Sequence, residues 1–401
     1  QLTAHANTAV SSRPFLFLSP FSHRSFFSIR RCAITCRAAP SFIRVGHLEL
    51  WARRASRGVD GAAAELRNLV EHAIIREFAG EVDRSLPFKE QLFAMMRAFA
   101  RRQATLSIGW LRVGYVQGNM NSDNCLVSGR TMDYGPFGFI EKYEQLWSPF
   151  TSDMERKFGF ERQPLASQVN LMTLARALLP LFERESEYER SMETLQNIVQ
   201  DDYPALLKPM MGEMYRAKLG LSSWDTEAGE KLLPQLQALL AKSSCDYTIF
   251  WRELAGISLA EAQMVVEVGV AGAAAMETDD GALNATDPML ARLAPCFFDG
   301  VPSGNPQLLS DWRRWMVRYA QRLASEGRPD SERQTEMRLT SPKFIPREWV
   351  LAEAYTAAER GDYSILHELL EVFSSPYDEH PEAEAKYYRT PPAAMVNKAG
   401  I

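Results

Sequence analysis

The amino-terminal part of the sequence has no acidic side chain and no lysine. The first acidic residue is Glu49 and the first lysine is Lys89, whereas arginines accumulate earlier among serines and phenylalanines. Arg- and Ser-rich, acid-poor N-termini are typical of organelle transit peptides. Misread non-coding sequence is the alternative, because it also yields Ser/Phe-rich stretches, and Gln1 in place of Met suggests a fragment. We therefore treat residues 1–36 as an atypical segment.

Cysteine is scarce, and long apolar runs are absent. The five cysteines and six histidines are scattered and do not form the paired sets that structural zinc sites use. Free thiols in a reducing compartment are the simpler interpretation. The longest apolar run, Met264–Met276, is interrupted by Glu267 and is too short to span a bilayer. We expect a soluble protein without a membrane span.

The chain has no excess of positive charge. Its formal net charge is −5, and its charged (24%) and hydrophobic (46%) fractions are those of an ordinary globular protein. Nucleic-acid-binding proteins usually carry a basic face. We therefore expect no nucleic-acid partner, and a length of 401 residues allows one large or two medium domains.

Apolar residues recur at helical spacing through most of the chain, which predicts an α+β protein that is mostly helical. Alternation of apolar residues within Ala39–Ala55 predicts a strand, and the segment after Ser375 is expected to pack only in part. A long loop is expected near residues 277–307 because Gly, Pro and Asp are frequent there. The predicted helices are Ala62–Phe78, one from Pro87 towards Val113, Gln168–Phe182, two within Tyr188–Leu219 split at Pro204, Glu230–Ala241, Leu259–Met276, Leu308–Ala324, Arg347–Glu359 and Tyr363–Phe373.

The segment Gly114–Phe139 sets polar side chains among glycines, and we call it the glycine segment. Glycine permits backbone conformations closed to other residues, which suggests a chain bent to aim Asp123, Asn124 and Asp133. Mg²⁺ prefers oxygen ligands, typically one or two carboxylates plus substrate phosphates. A further carboxylate can orient or deprotonate an attacking hydroxyl. These residues predict a metal–phosphate catalytic centre, and a surface hairpin with Asn and Asp as turn residues is the alternative.

The glycine segment is also expected to contain a short β-hairpin, with Leu126–Val127 and Thr131–Met132 as its strands. The long helix after Pro87 would lead directly into it. The local architecture predicted is therefore helix, loop, hairpin and loop.

Several sequence blocks occur in a defined order along residues 37–392. They are APSFIRVG (Ala39–Gly46), NSDN (Asn121–Asn124), DYGPFGF (Asp133–Phe139), DYT (Asp246–Thr248), SPKFIPREWVLAE (Ser341–Glu353), AERGD (Ala358–Asp362) and PYDE (Pro376–Glu379). Together these blocks resemble the selenoprotein O family, also called the YdiU family. Its members are protein-kinase-like proteins that transfer AMP from ATP to protein hydroxyls.

The resemblance implies a role for each matching residue. Asp123 matches the catalytic base, Asn124 a metal ligand, and Asp133 the aspartate that holds Mg²⁺ against the nucleotide phosphates. Arg37 and Arg44 match two arginines that hold the phosphate tail of a nucleotide bound in flipped orientation. Their guanidinium groups offer planar donor forks to phosphate oxygens. The implied cofactor is Mg²⁺, with Mn²⁺ as the alternative, and the implied partners are ATP and proteins with Ser, Thr or Tyr hydroxyls.

The resemblance also implies a fold and a location. Residues 37–401 would form the end of an N-lobe and a kinase-like C-lobe with a short catalytic hairpin. Eukaryotic members of the family are mitochondrial, which implies a mitochondrial location.

The chain departs from the family pattern at several places. The family's glycine-rich loop, its phosphate-pairing lysine and the glutamate that orients this lysine should lie upstream of Arg37, and residues 1–36 do not contain them. Gln117 stands where the family more often has His, which leaves the hydrogen bonding of that loop open. Residues 393–401 contain no redox cysteine or selenocysteine.

These departures keep two alternatives to AMP transfer open. One is kinase-like phosphoryl transfer, which would use the same metal-binding residues. The other is an inactive fragment or scaffold, for which we expect weak nucleotide binding at best.

Overall fold

The computed structural model describes residues 36–182, 185–274 and 286–392. The chain divides into two compact units, Gln1–Phe42 and Ile43–Ile401. In the described part of the first unit, the Arg37 guanidinium lies over the Phe42 ring, 5.5 Å from its centroid. The atypical segment 1–36, apart from Cys36, and the C-terminal residues 393–401 lie outside the described residues.

Helices make up most of the regular structure in the second unit. They are joined by short 3₁₀ turns and by two π-helical segments, Ile198–Asp202 and Ala228–Leu232. Their bounds are α1 Val45–Ser56, α2 Ala62–Glu77, α3 Phe88–Val113, α4 Gln163–Leu178, α5 Glu185–Asn197, α6 Tyr203–Leu219, α7 Leu233–Lys242, α8 Tyr247–Leu254, α9 Leu259–Ala274, α10 Asp287–Arg292, α11 Pro306–Glu326, α12 Asp330–Thr340, α13 Glu348–Glu359, α14 Ser364–Ser374 and α15 Pro381–Tyr387.

A two-stranded antiparallel sheet, β1 (Tyr115–Val116) with β2 (Gly138–Phe139), is the sheet found in the described part of the chain. Tyr115 pairs with Phe139, and Val116 pairs with Gly138. The mostly helical α+β class predicted from the sequence is confirmed. No helix among the described residues is long and apolar enough to cross a membrane.

The positions predicted for the hairpin strands are wrong. Within 125–132 the chain pairs with itself at one isolated bridge, between Cys125 and Thr131. The backbone of this stretch is bound instead to the chain at the start of α1, because Val45 N–H donates to the Cys125 carbonyl (2.9 Å) and Val127 N–H donates to the Ile43 carbonyl (3.0 Å). Pairing with another part of the chain therefore replaces pairing within a hairpin.

The strand predicted within Ala39–Ala55 is also wrong, because helix α1 begins at Val45. Its buried residues Val45, Leu48 and Ala52 lie on one helical face, three and four residues apart. The extended conformation ends at Arg44, whose φ of −115° and ψ of 154° are those of a strand. Arg44 forms an isolated antiparallel bridge with Leu126.

Two boundary predictions need correction. The chain does not break before Pro204, because the π-helical segment Ile198–Asp202 joins α5 directly to α6, and Pro204, which has no N–H to donate, follows it as the second residue of α6. The long loop expected near 277–307 contains helix α10 and a 3₁₀ turn at Ala294–Cys296. Both are fixed by burial of Met289, Leu290 and Leu293. The first part of the expected loop, residues 277–285, lies outside the described residues.

The glycine segment is anchored in two hydrophobic clusters. Its residues Cys125 and Val127 belong to a cluster formed mainly by α1 to α4 and α6. Its residue Val116, together with Ile140, belongs to a larger cluster built around α6 to α9 and α11. Both ends and the middle of the segment are therefore held by packed cores, while Asp123 is exposed and Asn124 and Asp133 are partly exposed.

A candidate metal and phosphate site

The glycine segment begins where α3 ends. Gly114 closes α3 with a φ of +79°, and Gly118 follows with a φ of +77°, both in the left-handed region that glycine tolerates. A Cβ atom on Gly118 would lie 1.6 Å from the carbonyl oxygen of Pro136. Glycine at this position therefore lets the two arms of the segment touch.

Buried glutamines hold these arms together. Gln117 donates from Nε2 to the Asp133 carbonyl (2.7 Å) and accepts from the Tyr115 hydroxyl at Oε1 (2.8 Å). Gln163 accepts from Gln117 N–H (2.9 Å) and donates from Nε2 to the Tyr115 carbonyl (2.8 Å). Gln117 thus meets the hydrogen-bonding needs of the loop without the histidine that is more frequent in the family. Gln163 was not singled out from the sequence, because it lies in no recognised motif.

Asp123 lies in a single 3₁₀ turn, Ser122–Asn124, which is hydrogen-bonded to α1 and to the residue before it. Arg44 donates from Nη1 to the Asp123 carbonyl (3.0 Å), and the Ser122 hydroxyl donates to Glu49 Oε2 (2.5 Å). A Cβ atom on Gly46 would lie 3.1 Å from both Cα and N of Asp123, so glycine lets α1 approach the turn closely. The position of Asp123 therefore depends on the block that contains Arg44 and Gly46.

Three oxygen-bearing side chains of this segment retain free acceptors. Asp123 is exposed, and its carboxylate accepts no hydrogen bond within the described ranges. Asn124 donates its Nδ2 to the Asn119 carbonyl (3.4 Å), which leaves Oδ1 for another partner. Asp133 accepts from Gly135 N–H at Oδ1 (2.9 Å), which leaves Oδ2. The Cys125–Thr131 bridge folds the chain back so that Asn124 and Asp133 lie at the same end of the turn.

These free oxygens suit a hard cation. Among the described residues, no group of three or more His, Cys, Asp or Glu side chains could hold a metal by itself. Mg²⁺ is commonly held by one or two carboxylates with the remaining ligands from water and substrate phosphates. The Asn124 Oδ1 and Asp133 Oδ2 atoms fit this pattern, and their role as metal ligands remains a prediction.

Arg44 combines a structural bond with unused donor capacity. Its buried Nε has no hydrogen-bond partner in the described part of the chain. Its main-chain N–H donates to His47 Nδ1 (3.3 Å), and burial together with the Arg44 charge lowers the pKa of His47. His47 is therefore neutral at neutral pH and accepts this bond. Arg37 lies in the first unit, so the pairing of Arg37 with Arg44 on phosphates remains a prediction.

The C-terminal blocks form a buried brace behind the site. Arg347 donates from Nη1 and Nη2 to the two carboxylate oxygens of Asp246 (2.6 and 3.0 Å), and both side chains are nearly inaccessible to solvent. Asp246 also caps α8 by accepting from Ile249 N–H (2.9 Å). Tyr247 N–H donates to the carbonyl of Glu141 (2.7 Å), which follows β2. The brace therefore connects the C-terminal blocks to the end of the glycine segment.

The PYDE block completes this brace. Glu379 accepts from Arg252 Nη2 (2.5 Å) and from Lys343 Nζ (2.7 Å). The Pro376 carbonyl accepts the main-chain N–H groups of Lys343 (2.8 Å) and Phe344 (3.1 Å). The DYT, SPKFIPREWVLAE and PYDE blocks therefore stabilise the fold around the site, whereas Asp123, Asn124 and Asp133 keep unengaged oxygen atoms within the described residues.

Comparison with a known family covers the glycine segment and the C-terminal blocks Ser341–Glu353 and Ala358–Asp362. A family profile described as protein adenylyltransferase SelO matches residues 23–374. The protein nucleotidyltransferase YdiU of Rhodopirellula baltica is 34% identical over 361 residues, which cover 88% of this chain and 61% of that protein. The YdiU protein of Flavobacterium johnsoniae is 31% identical over 372 residues, covering 92% and 62%.

A third relative, the YdiU protein of Xanthomonas axonopodis pv. citri, is 33% identical over 362 residues, covering 90% of this chain and 61% of that protein. The chain thus spans about three fifths of the length of these curated relatives. The profile match extends over most of the chain and includes Asp123, Asn124 and Asp133. The chain therefore belongs to the protein adenylyltransferase SelO family, also called YdiU.

Proposed function

We propose that this protein is a protein adenylyltransferase that transfers AMP from ATP to Ser, Thr or Tyr hydroxyls of other proteins. The observation that carries the proposal is the set of unengaged oxygens on Asp123, Asn124 and Asp133 within one braced segment. Membership of the SelO family supports it, because its relatives bear the name protein nucleotidyltransferase. The kinase-like C-lobe implied by the resemblance is part of the same proposal.

Asp123 is the proposed general base. Its exposed carboxylate would accept the proton of the acceptor hydroxyl as the hydroxyl oxygen forms a bond to the α-phosphorus of ATP. The bond between the α-phosphorus and the bridging oxygen then breaks, and pyrophosphate leaves. Because the turn is held by Arg44 and Glu49, the backbone that carries this carboxylate is fixed before substrate arrives.

Asn124 and Asp133 are the proposed metal ligands. Asn124 Oδ1 and Asp133 Oδ2 would hold Mg²⁺, with Mn²⁺ as the alternative. The bound cation would supply positive charge that stabilises the phosphate oxygens. Asp133 keeps its orientation because its other carboxylate oxygen accepts from Gly135 N–H.

Arg37 and Arg44 are proposed to decide which phosphate is transferred. If both guanidinium groups hold the β- and γ-phosphates, the α-phosphorus faces the acceptor and pyrophosphate is the leaving group. The buried Nε of Arg44, which has no partner among the described residues, supports an anionic ligand at this position. Phosphoryl transfer would require the opposite orientation of the nucleotide.

The experiment is a label-transfer assay with the longest natural protein that contains this chain. Acceptor proteins are incubated with Mg²⁺ and with ATP labelled at either the α- or the γ-phosphate. The proposal expects protein-bound label from α-labelled ATP and none from γ-labelled ATP. Label from the γ-position would indicate phosphoryl transfer instead, and a folded protein without label or nucleotide binding would indicate a scaffold.

The mitochondrial location implied by the resemblance also remains a proposal. Imaging of the natural protein with a C-terminal fluorescent fusion tests it. Co-localisation with a mitochondrial marker is expected, and a diffuse signal would contradict it.

A further inference from the structure

A groove of about 860 Å³ opens beside Asp123, between α1 and α4, and we call it the α1–α4 groove. The turn at Asn121–Asp123 contributes to its lining, whereas Asn124 and Asp133 do not. The groove therefore reaches the side of the proposed base and not the proposed metal ligands. A molecule bound in it would therefore contact Asp123 without contacting Asn124 or Asp133.

The lining of the groove is positively charged, although the chain as a whole carries a net charge of −5. Arg53, Lys157 and Arg162 lie along it in addition to Arg44, which is proposed above to hold nucleotide phosphates, and they outnumber the acidic lining residues Glu49 and Asp123. The side chains of Arg53 and Lys157 are 61% and 63% exposed, and the ion pairs that they form, at 3.9 Å and 3.2 Å, are loose surface pairs. Such pairs contribute little, so these charges remain available to a ligand.

Arg162 retains its charge for a different reason. Its Nη1 donates to the main-chain carbonyls of Glu155 (2.7 Å) and Arg156 (3.3 Å). Carbonyl oxygens orient the guanidinium without neutralising it. The Arg162 guanidinium is therefore a fixed positive charge in the lining of the groove.

The wall formed by α4 is apolar. Leu165 and Val169, one helical turn apart, are 58% and 56% exposed and both line the groove. Exposed apolar side chains at this spacing suit contact with a side chain of a bound polypeptide. They offer nothing to the phosphates of a nucleotide.

We propose that the α1–α4 groove binds the acceptor segment of the protein substrate and selects segments in which acidic residues flank the hydroxyl-bearing residue. An apolar residue of the segment contacts Leu165 and Val169, while its carboxylates face Arg53, Lys157 and Arg162. The hydroxyl then lies at Asp123. This inference rests on the proposed transfer of AMP to protein hydroxyls, and it adds the class of acceptor.

The test measures binding of fluorescent peptides to the 401-residue chain by anisotropy, without nucleotide. Each peptide carries one Ser and one Leu, flanked by Glu, Ala or Lys residues in three otherwise identical versions. We expect the Glu-flanked peptide to bind about tenfold more tightly than the Lys-flanked peptide at low salt, and we expect this preference to shrink as salt screens the charges.

Charge reversal identifies the surface responsible. The double variant Arg53→Glu/Lys157→Glu should lose the preference for the Glu-flanked peptide. The matched control is Arg67→Glu/Lys242→Glu, because Arg67 is also an exposed helical arginine paired with a glutamate four residues away and Lys242 is exposed. Circular dichroism and thermal unfolding of each variant establish that it is folded.

Leu165→Ser provides an uncharged second variant. Because Leu165 is exposed, the change should leave the stability of the protein unaltered, and it should weaken the binding of all three peptides to a similar degree. Undiminished binding of all three would contradict a role for the apolar wall.

Three results would overturn the inference. The first is equal binding of the Glu- and Lys-flanked peptides, and the second is an equal loss of the preference for the Glu-flanked peptide in the control variant. The third is weaker Mg²⁺–ATP binding in Arg53→Glu/Lys157→Glu, which would make the groove a phosphate site. The binding assay needs no AMP transfer, so it can be interpreted even if the proposed activity fails. Conversely, AMP transfer without charge preference would remove only the assignment of the groove.

Discussion

Single residues of the glycine segment divide into those that set its backbone and those that keep free oxygens. Gly118 allows contact with Pro136, and Gln117 bonds to the Asp133 carbonyl. Asp123, by contrast, has an exposed carboxylate on a turn that is held through its backbone. Substitutions of the two kinds should therefore differ in whether they change folding or chemistry.

Gly118→Ala should destabilise the protein more than a positive φ alone explains. Both Gly118 (φ +77°) and Gly58 (φ +68°) are in the left-handed region, but a Cβ on Gly58 would meet nothing within 4 Å. Gly58→Ala is therefore the control for backbone strain, with an expected cost of about 1 kcal/mol. Denaturant unfolding should show a cost at least about 2 kcal/mol larger for Gly118→Ala. Equal costs would mean that the loop moves away from Pro136 easily.

Asp123→Asn should impair the chemical step and leave nucleotide binding unchanged. Loss of a general base typically lowers the rate by about 10²- to 10⁴-fold. Single-turnover transfer of AMP measures the rate, and calorimetry measures the Kd for Mg²⁺–ATP. A weaker Kd with little change in rate would reassign Asp123 from base to ligand.

Individual helices are predictable from the sequence where local pattern and burial coincide. Helices α2 and α3 were predicted because Leu66, Val70 and Ile74, and likewise Phe93, Met96 and Phe99, occur at helical spacing and are all buried. Helix α12 was missed, because Arg333 and Met337 are its buried residues and its other side chains are largely polar. A helix with so narrow a buried face gives little periodic signal.

The two wrong strand predictions around the site, for the hairpin and within Ala39–Ala55, have a common cause. The apolar residues that suggested a strand near Arg44, such as Val45 and Leu48, lie inside α1, and the partner of Leu126 lies about 80 residues away, at Arg44. Local sequence contains no information about such pairing. The candidate residues themselves were recognised through their motif, whereas Gln163 and Gly46 act through contacts that become visible only in three dimensions.

The buried brace gives a prediction for stability. Arg347→Met would leave the Asp246 carboxylate buried without its counterion, which typically costs about 3–5 kcal/mol. Arg314→Met removes an exposed ion pair with Asp311 and should cost less than about 1 kcal/mol. The free energy of unfolding in urea measures both. A small loss for Arg347→Met would mean that water reaches Asp246.

Glu141, next to this brace, gives a prediction for pH. Burial raises its pKa to about 7, against the opposing effect of Arg347. The folded protein therefore holds this proton more tightly than the unfolded chain, and the contribution of Glu141 to stability is lost as pH rises from about 4.5 to about 7.

Glu141→Gln should remove this loss, because the amide does not titrate. We expect the variant to match the parent near pH 4.5 and to be more stable by roughly 2–3 kcal/mol at pH 8. Urea unfolding across this pH range measures the difference. A difference that is constant with pH would contradict the raised pKa.

At the scale of the whole molecule, the second unit places the glycine segment where two packed clusters meet. The cluster of α1 to α4 holds Cys125 and Val127, and the larger cluster holds Val116 and Ile140. Movement of one cluster relative to the other would shift Asp123 relative to Asp133. The brace of C-terminal blocks joins the chain just after the segment, at Glu141, to α8 of the larger cluster and therefore anchors the segment on that side.

The most direct measurement of the metal–phosphate site is Mn²⁺ binding in the presence of ATP, followed by electron paramagnetic resonance. It compares the longest natural protein that contains this chain with its Asp133→Asn and Asp83→Asn variants. Asp83 is the matched control, because its Oδ1 also accepts from the N–H two residues later, at the same distance of 2.9 Å, in a simple surface turn. We predict that Asp133→Asn weakens Mn²⁺ binding by about 10- to 100-fold while Asp83→Asn has no effect. If both variants bind Mn²⁺ as tightly as the parent protein, Asp133 is only a turn residue.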